Sequence, residues 1–389
     1  MCLNSRHVLM PTASPGEHRR PTNSCTEPVT RSGASHSGTL EFLGFLPIGH
    51  VLTSKNLKDP MKLLVVILNY NVTDLTIDCL RSLEPEIPRV PGMKVAVCEN
   101  GTGGNAEMRI REAITENRWE SWAEVTAIFP NRGFTGGNNV IIRKWMAFPD
   151  SPEYFLLLNA DTLVQPGALE ALVRFMDAHP RVGITGSRLE WPDGTPQGSP
   201  FRFPGIASEF DRGLKLGIIT RLLSPWAGRI PSPQTALQVD WVGGTSMIIR
   251  RDVIEAIGAL DEGLYTYFDD VDYCLNAKRA GWQIWFLPES RITHLEGAST
   301  GIKEKNPKRR PAYWYQARRR FFLKNHGALY TAIADAAFLI GFALWRVRRR
   351  IQRKPDTDPP YMLIDAWRNS VFMTGFAIRE VENPALRVT

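Results

Sequence analysis

A run of seven residues, 62–68 (KLLVVIL), constrains this chain more than any other stretch. It is continuous rather than alternating and rich in β-branched residues, the mark of a strand covered on both faces. Such a strand belongs in a parallel sheet with helices on either side. The sequence downstream repeats the pattern. Strand signals recur at 94–98, 124–129 and 154–158, and helical spacing at 74–83, 105–118, 138–145 and 167–178, the last opened by Pro166. The fold class is therefore α/β, with ligands expected beyond the C-terminal ends of the strands. That expectation gathers 69–71, 99–100, 131–138 and 159–161 along one edge of the sheet, a convergence of polar side chains from four strand ends.

Farther along, 185–240 is rich in Pro, Gly and turns and reads as irregular cover. Strand character returns at 239–250, followed by a short helix at 251–257, a helix at 271–280 stopped by Gly281, and a last strand at 283–287. Residues 312–354 read as helical and basic, and 361–379 as a second amphipathic stretch through Leu363, Trp367 and Val371. At the other end, 1–39 has no aromatic residue and is dotted with Ser, Pro, Thr and Arg, a composition expected to stay disordered. Residues 40–52 are apolar, short and interrupted by Pro47: a docking segment, or translated upstream sequence with Met61 as the start. The expected organisation is an extension over 1–60, a catalytic region over 61–300 divided at 165/166, and a basic helical region over 301–389.

Composition narrows the function classes. The chain has 389 residues, 43% apolar and 22% charged, which is ordinary globular material with room for more than one domain. Five cysteines, none spaced as C-x-x-C, argue against a disulfide scaffold or structural zinc and for a reducing compartment. No apolar stretch follows a basic start, which argues against a secretory signal. The net charge of +7 is concentrated: residues 301–354 hold fifteen Lys and Arg against Glu304 and Asp335, leaving the remainder at −6. With an acidic remainder and no recognised module, nucleic acid is not an expected partner.

Four constellations can carry chemistry. Asn159 and Asp161 end the strand at 154–158, where a carboxylate suits a hard divalent cation that also takes phosphate oxygens, or else caps the following turn. Asp269, Asp270 and Asp272 precede a helix; its dipole accounts for one or two of them, and the adjacent pair suits a general base with a raised pKa. His294, after the last strand, is a packing residue or a ligand. The run 131–139 (NRGFTGGNN) offers close backbone approach and helix-opening N–H groups, although it is neither G-x-G-x-x-G nor a Walker A loop.

In order, LLVVILNYN (63–71), VCENGTGGN (97–105), NRGFTGGNN (131–139), LLLNADT (156–162), DWVGGTSMIIRR (240–251), YFDDVDYCLNAKRAGW (267–282) and HLEG (294–297) resemble the family-2 inverting glycosyltransferases. Within that family the set is similar to the bacterial rhamnosyltransferase-like branch that builds cell-surface polysaccharide. The resemblance covers about residues 62–326 and implies a GT-A fold, a nucleotide-sugar donor such as dTDP-rhamnose or a UDP-sugar, and a glycan or lipid-linked acceptor. It implies that Asn69, Tyr70, Asn71 and Glu99 border the nucleotide, and that Asn131, Gly133, Phe134 and Asn138 line the base and ribose pocket. Asn159 and Asp161 match the D-x-D motif, Asp161 and His294 would hold Mn²⁺ or Mg²⁺, and Asp270 matches the catalytic base, with Asp269 beside it. Gly243 and Gly244 would lie beneath the donor sugar and acceptor. Three positions depart from the family pattern: Asn159 stands for the first Asp of D-x-D, Glu99 for an Asp, and Asp269 for a Glu. A nucleotidyltransferase would need a glycine-rich basic loop that 68–71 lacks, whereas a degenerate glycan-binding protein draws its support from those departures.

The apolar stretch 328–345 is eighteen residues long, carries Asp335 near its middle and has arginines at both ends. A spanning helix of about twenty residues tolerates a central Asp poorly, so the expectation is an interfacial helix on an anionic membrane surface, at the inner face of the cell membrane. The competing readings are a spanning helix and a core helix with solvated ends.

Overall fold

The computed structural model describes residues 61–197, 201–225, 230, 233–295, 308–381 and 383. The readings of 1–60 as an extension and of the 296–297 end of HLEG lie outside the described residues. The first part alternates strands and helices: β1 (Leu63–Asn69), α1 (Thr73–Leu83), β2 (Met93–Asn100), α2 (Ala106–Glu116), β3 (Ala123–Ile128), α3 (Gly133–Met146) and β4 (Tyr154–Asn159). Next come β5 (Thr162–Val164), α4 (Ala168–Ala178), β6 (Val182–Glu190), α5 (Ile206–Leu214), α6 (Gly217–Leu223), β7 (Leu237–Gln238) and β8 (Ser246–Arg250). The last elements are α7 (Arg251–Ile257), α8 (Asp269–Arg279), β9 (Gln283–His294), α9 (Ala312–Ile351), α10 (Met362–Arg368) and α11 (Val371–Thr374).

One sheet in the order β3-β2-β1-β4-β8-β6-β9-β5 runs through the protein, with β7 added beside β9. β3, β2, β1 and β4 are mutually parallel, and β8 turns the direction by pairing antiparallel to β4. β1 is covered on both faces, as its continuous apolar run requires. Leu63, Val65 and Ile67 enter one core, while Leu64 and Val66 enter the other. Burying each such side chain contributes roughly 1.5–3 kcal/mol. The register sets Asn69 opposite Glu99 and Leu68 opposite Asn159, so the four parallel strands end together.

Several boundaries differ from the sequence reading. α3 begins at Gly133 rather than at 138, because the glycines that read as a loop are wound into its first turns. The stretch read as irregular contains β6, α5 and α6. The strand read over 239–250 is confined to β8, with β7 a separate short strand. β9 continues past Leu287 to His294. The sequence signal stops there because Pro288 follows, and the structure accommodates it at a shift of register between Ser187 and Arg188 on β6. α8 begins at Asp269, so all three aspartates lie inside its first turn.

One face of the apolar stretch around Asp335 packs within the protein, and the other is exposed. α9 kinks at Gly327 (φ 79°), and its second half crosses α5 where Gly213 meets the backbone of Phe338 and Phe342, and Gly341 that of Phe210. Asp335 is buried against Arg318, whose guanidinium also reaches Glu209 at 2.8 Å, and its other oxygen accepts from the Val371 N–H at 2.8 Å. Removing one partner from such a buried network strands a charge at a cost of about 3–5 kcal/mol. Phe338 is buried, whereas Leu329, Ile333, Ile340 and Leu344 are exposed. Arg346 and Arg349 pair with Asp356, and Arg348 donates to the carbonyls of Leu214 and Lys215, so much of the basic segment is engaged within the protein.

Candidate active site

The C-terminal ends of β1, β2 and β4 open into a cleft of about 990 Å³. Its strand-edge wall carries Tyr70, Asn100, Asn131, Phe134, Asn159 and Asp161, and its opposite wall Asp269, Asp270, Trp241 and Trp314.

Asp161 and His294 meet where β5 pairs with β9. Gln197 Nε2 donates to the His294 carbonyl at 2.7 Å, which turns Gln197 Oε1 toward His294 Nδ1 at 2.9 Å. In the neutral ring Nδ1 therefore carries the proton, and Nε2 presents its lone pair to Asp161 Oδ1, 3.4 Å away. Both side chains are buried. A lone pair and a carboxylate oxygen held face to face in a low-dielectric pocket are reconciled either by a proton on Nε2 or by a bound cation. The donors, one oxygen and one imidazole nitrogen, suit Mn²⁺ or Mg²⁺ completed by water and phosphate oxygens. Among the described residues no group of three His, Cys, Asp or Glu side chains could hold a metal, and Asp161 and His294 are the two candidate ligands here. Asn159 supports the edge: its N–H donates to the Thr245 carbonyl at 2.9 Å, joining β4 to the 243–245 turn.

The three aspartates of α8 divide their work. Asp272 accepts from Lys324 at 2.7 Å and Asn325 at 2.6 Å, tying the helix to α9. Asp270, half-buried, accepts from the Gly244 N–H at 3.2 Å and the Val271 N–H at 2.8 Å. Burial raises its carboxyl, and these two donors work against the rise. Asp269 is buried; burial first, and the Asp270 charge second, hold its carboxyl well above the usual range. Of the pair, Asp269 is pushed up the more strongly, and the two N–H donors to Asp270 favour its charged form.

The backbone that presents them is strained. Tyr267 and Phe268, neither a glycine, have φ of 69° and 61°. Such residues cost on the order of 1–3 kcal/mol each and persist only where their surroundings hold them. Here Tyr267 stacks on Tyr313, and Phe268 packs on Phe321 and Trp314, all from α9. From the other side the Phe134 N–H donates to the Tyr265 carbonyl at 2.8 Å, and the Tyr265 hydroxyl to Asn131 Oδ1 at 3.1 Å. Gly133 (φ 72°) is required at this crossing, because a Cβ there would run into the Tyr265 carbonyl and ring.

Other expected site residues serve the frame. Asn69 is buried with both ends engaged, accepting from Thr76 at 2.8 Å and donating to Thr102 at 3.4 Å. Glu99 accepts from the Thr102 N–H at 2.6 Å, and the Asn71 N–H donates to the Thr102 hydroxyl at 3.0 Å. Asn138 donates to the Phe134 carbonyl at 2.8 Å and leaves Oδ1 buried without a partner. Gly244 lines the cleft beneath Phe134; Gly243 lies 3.9 Å, measured from a built Cβ, from Asp270 Oδ2. Sequence reasoning missed Gln197 and Tyr265, which act through His294 and Asn131 and sit in stretches with no local pattern. It noted Asn100 at a strand end without assigning it a role, yet that side chain bonds Asn131 and the Gly133 carbonyl.

The sequence profile described as glycosyltransferase like family 2 matches residues 60–313. A curated relative, the N-acetylglucosaminyl-diphospho-decaprenol L-rhamnosyltransferase of Mycobacterium tuberculosis, is 26% identical over 158 residues, 38% of this chain and 49% of that protein. An O-antigen biosynthesis protein of Myxococcus xanthus is 31% identical over 167 residues, 42% of this chain and 12% of that protein. The chain thus spans about half the length of the first relative and less of the second. Among solved structures, GalNAc-T7 with UDP, GalNAc and Mn²⁺ shares the fold at a TM-score of 0.50 and 14% identity, over 80% of this chain and 55% of that one.

The raised Asp269 carboxyl has a pH signature. An acid whose folded pKa exceeds its unfolded value gives its full stability at low pH, and loses it as pH rises from about 4 through the folded value. Asp269→Asn removes this titration. The stability difference, variant minus wild type by urea unfolding, should be small near pH 4 and grow in the variant's favour toward neutrality. A pH-independent difference would contradict the assignment.

Proposed function

The chain belongs to glycosyltransferase-like family 2 and has the GT-A fold, and from that premise we propose that it transfers a sugar from a nucleoside-diphosphate donor, with inversion, to a hydroxyl of a lipid-linked or polysaccharide acceptor. A rhamnosyl donor is the reading favoured by the named relatives. The observation that carries it is the cleft itself, with the Asp161–His294 pair and the Asp269–Asp270 pair both on its walls or beside it. Asp161 and His294 would hold a divalent cation, which when bound supplies Lewis-acid stabilisation to the departing diphosphate. Asp270, kept ionised by the Gly244 and Val271 N–H groups, takes the acceptor hydroxyl proton. The new bond forms between that oxygen and the anomeric carbon as the bond to the diphosphate breaks. Burial raises the basicity of Asp270, which suits a general base, and the raised Asp269 carboxyl disfavours a second charge beside it.

The acceptor reading extends to a membrane surface on the cytoplasmic side. Leu329, Ile333, Ile340, Leu344, Val347 and Ile351 are exposed and fall on one stripe of α9 at helical spacing, opposite the face packed on α5. An amphipathic helix with basic neighbours suits an interfacial position on anionic lipid.

Asp270→Asn should lower transfer, or donor hydrolysis in the absence of acceptor, by about 10²–10⁴ while nucleotide affinity stays at the wild-type level. Activity within a few-fold of wild type would place the base elsewhere. For the membrane, with several arginines engaged internally, salt should release only part of the protein from phosphatidylglycerol-containing vesicles. The double substitution Ile340→Glu with Leu344→Glu should release the rest. Flotation unchanged in that variant, or no binding by the wild type, would contradict the interfacial reading.

A further inference from the structure

The cleft wall built by α5 and the chain leading into α9 carries two arginines, Arg212 and Arg310, of which only Arg212 has an ion pair among the described residues. Arg310 lines the cleft with its guanidinium 4.3 Å from the Trp314 ring centroid. Its Nε is buried with no hydrogen-bond partner, and among the described residues no carboxylate lies within ion-pair distance of it. Arg212 lines the same wall. Its partner Glu209, at 3.2 Å, is fully buried and already shared with Arg318 at 2.8 Å. Asp211, the other carboxylate on this wall, accepts from the Thr220 hydroxyl at 2.6 Å. Burial, and then the nearby Arg212 charge, push the Arg310 guanidinium below its ordinary range. A half-buried cation beside a second cation is costly unless an anion meets it, and among the described residues none forms an ion pair with Arg310.

The geometry points to a diphosphate subsite formed by Arg310 and Arg212. A guanidinium presents parallel N–H donors that match phosphate oxygens two at a time, and its stack on Trp314 fixes the plane of that fork. The choice of diphosphate rests on the transferase reading above, which brings two such groups to the cleft: the one on the nucleotide, and the one that links a sugar to a lipid carrier. Neither Arg212 nor Arg310 belongs to the strand ends expected to border the nucleotide.

The test uses the full chain and Arg310→Gln, Arg212→Gln and Arg310→Lys, titrated with inorganic pyrophosphate, with UDP, and with a short-chain prenyl-diphosphate sugar. Arg310→Gln should weaken pyrophosphate by about tenfold or more, and Arg310→Lys should recover only part of the loss. Its Tm should match or exceed that of the wild type, since an uncompensated cation has been removed. Loss confined to UDP identifies the nucleotide as the source, and loss confined to the prenyl compound identifies the acceptor. Unchanged affinity for all three probes in both glutamine variants overturns the proposal. So does a lowered Tm with affinity intact, which would make Arg310 a structural cap on Trp314. A wild type that binds pyrophosphate but transfers no sugar would defeat the transferase reading and leave the subsite standing.

Discussion

The carboxylate wall of the cleft depends on a strained backbone turn. Tyr267 and Phe268 sit in the left-handed region immediately before the two aspartates. They are held by packing from two directions. α9 supplies Tyr313, Trp314 and Phe321, while the start of α3 bonds the backbone and hydroxyl of Tyr265 two residues upstream. The strain is offset by aromatic contacts that an isolated 61–300 segment would lack. This gives the C-terminal helix a part in positioning Asp269 and Asp270 in addition to any part at a membrane.

The same logic joins the two halves of the sheet. The parallel strands supply the Asn159–Asp161 edge, and the antiparallel return through β8 brings the 243–245 turn back against it, where the Thr245 carbonyl accepts from Asn159 and the Gly244 N–H donates to Asp270. One short turn thus touches both the edge that ends in Asp161 and the carboxylate assigned as base. The stretches on either side of 165/166 share one continuous sheet.

The order of strands and helices through β4 was legible because each apolar run is long, β-branched and bounded by turn residues. The polar strand ends were legible for the same reason, since a parallel sheet leaves few places for Asn159 and Asp161 to go. The roles of single residues were harder to read. Asn69 and Glu99 look alike in sequence to groups that meet a ligand; within the fold Asn69 bonds Thr76 and Thr102, and one Glu99 oxygen accepts from the Thr102 N–H. Gln197 orients His294 from ninety-seven residues away, a relation no window of sequence contains. Asp335 argued against a spanning helix on cost alone, and its partners lie outside the apolar stretch: Arg318 before the Gly327 kink of the same helix, and Val371 in α11. The basic segment showed its charge but not its allocation, which separates Arg318 and Lys324, paired inside the fold, from Arg310 on the cleft wall.

The central claim is that the Asp161–His294 pair is a cation site serving a nucleoside diphosphate. The most direct measurement is calorimetric titration of UDP and dTDP into the wild type and Asp161→Ala, each with and without Mn²⁺. The account predicts that the cation strengthens binding in the wild type and makes no difference in the variant, because Asp161 is the only anionic group at that strand end. The same dependence on Mn²⁺ in both proteins would contradict it.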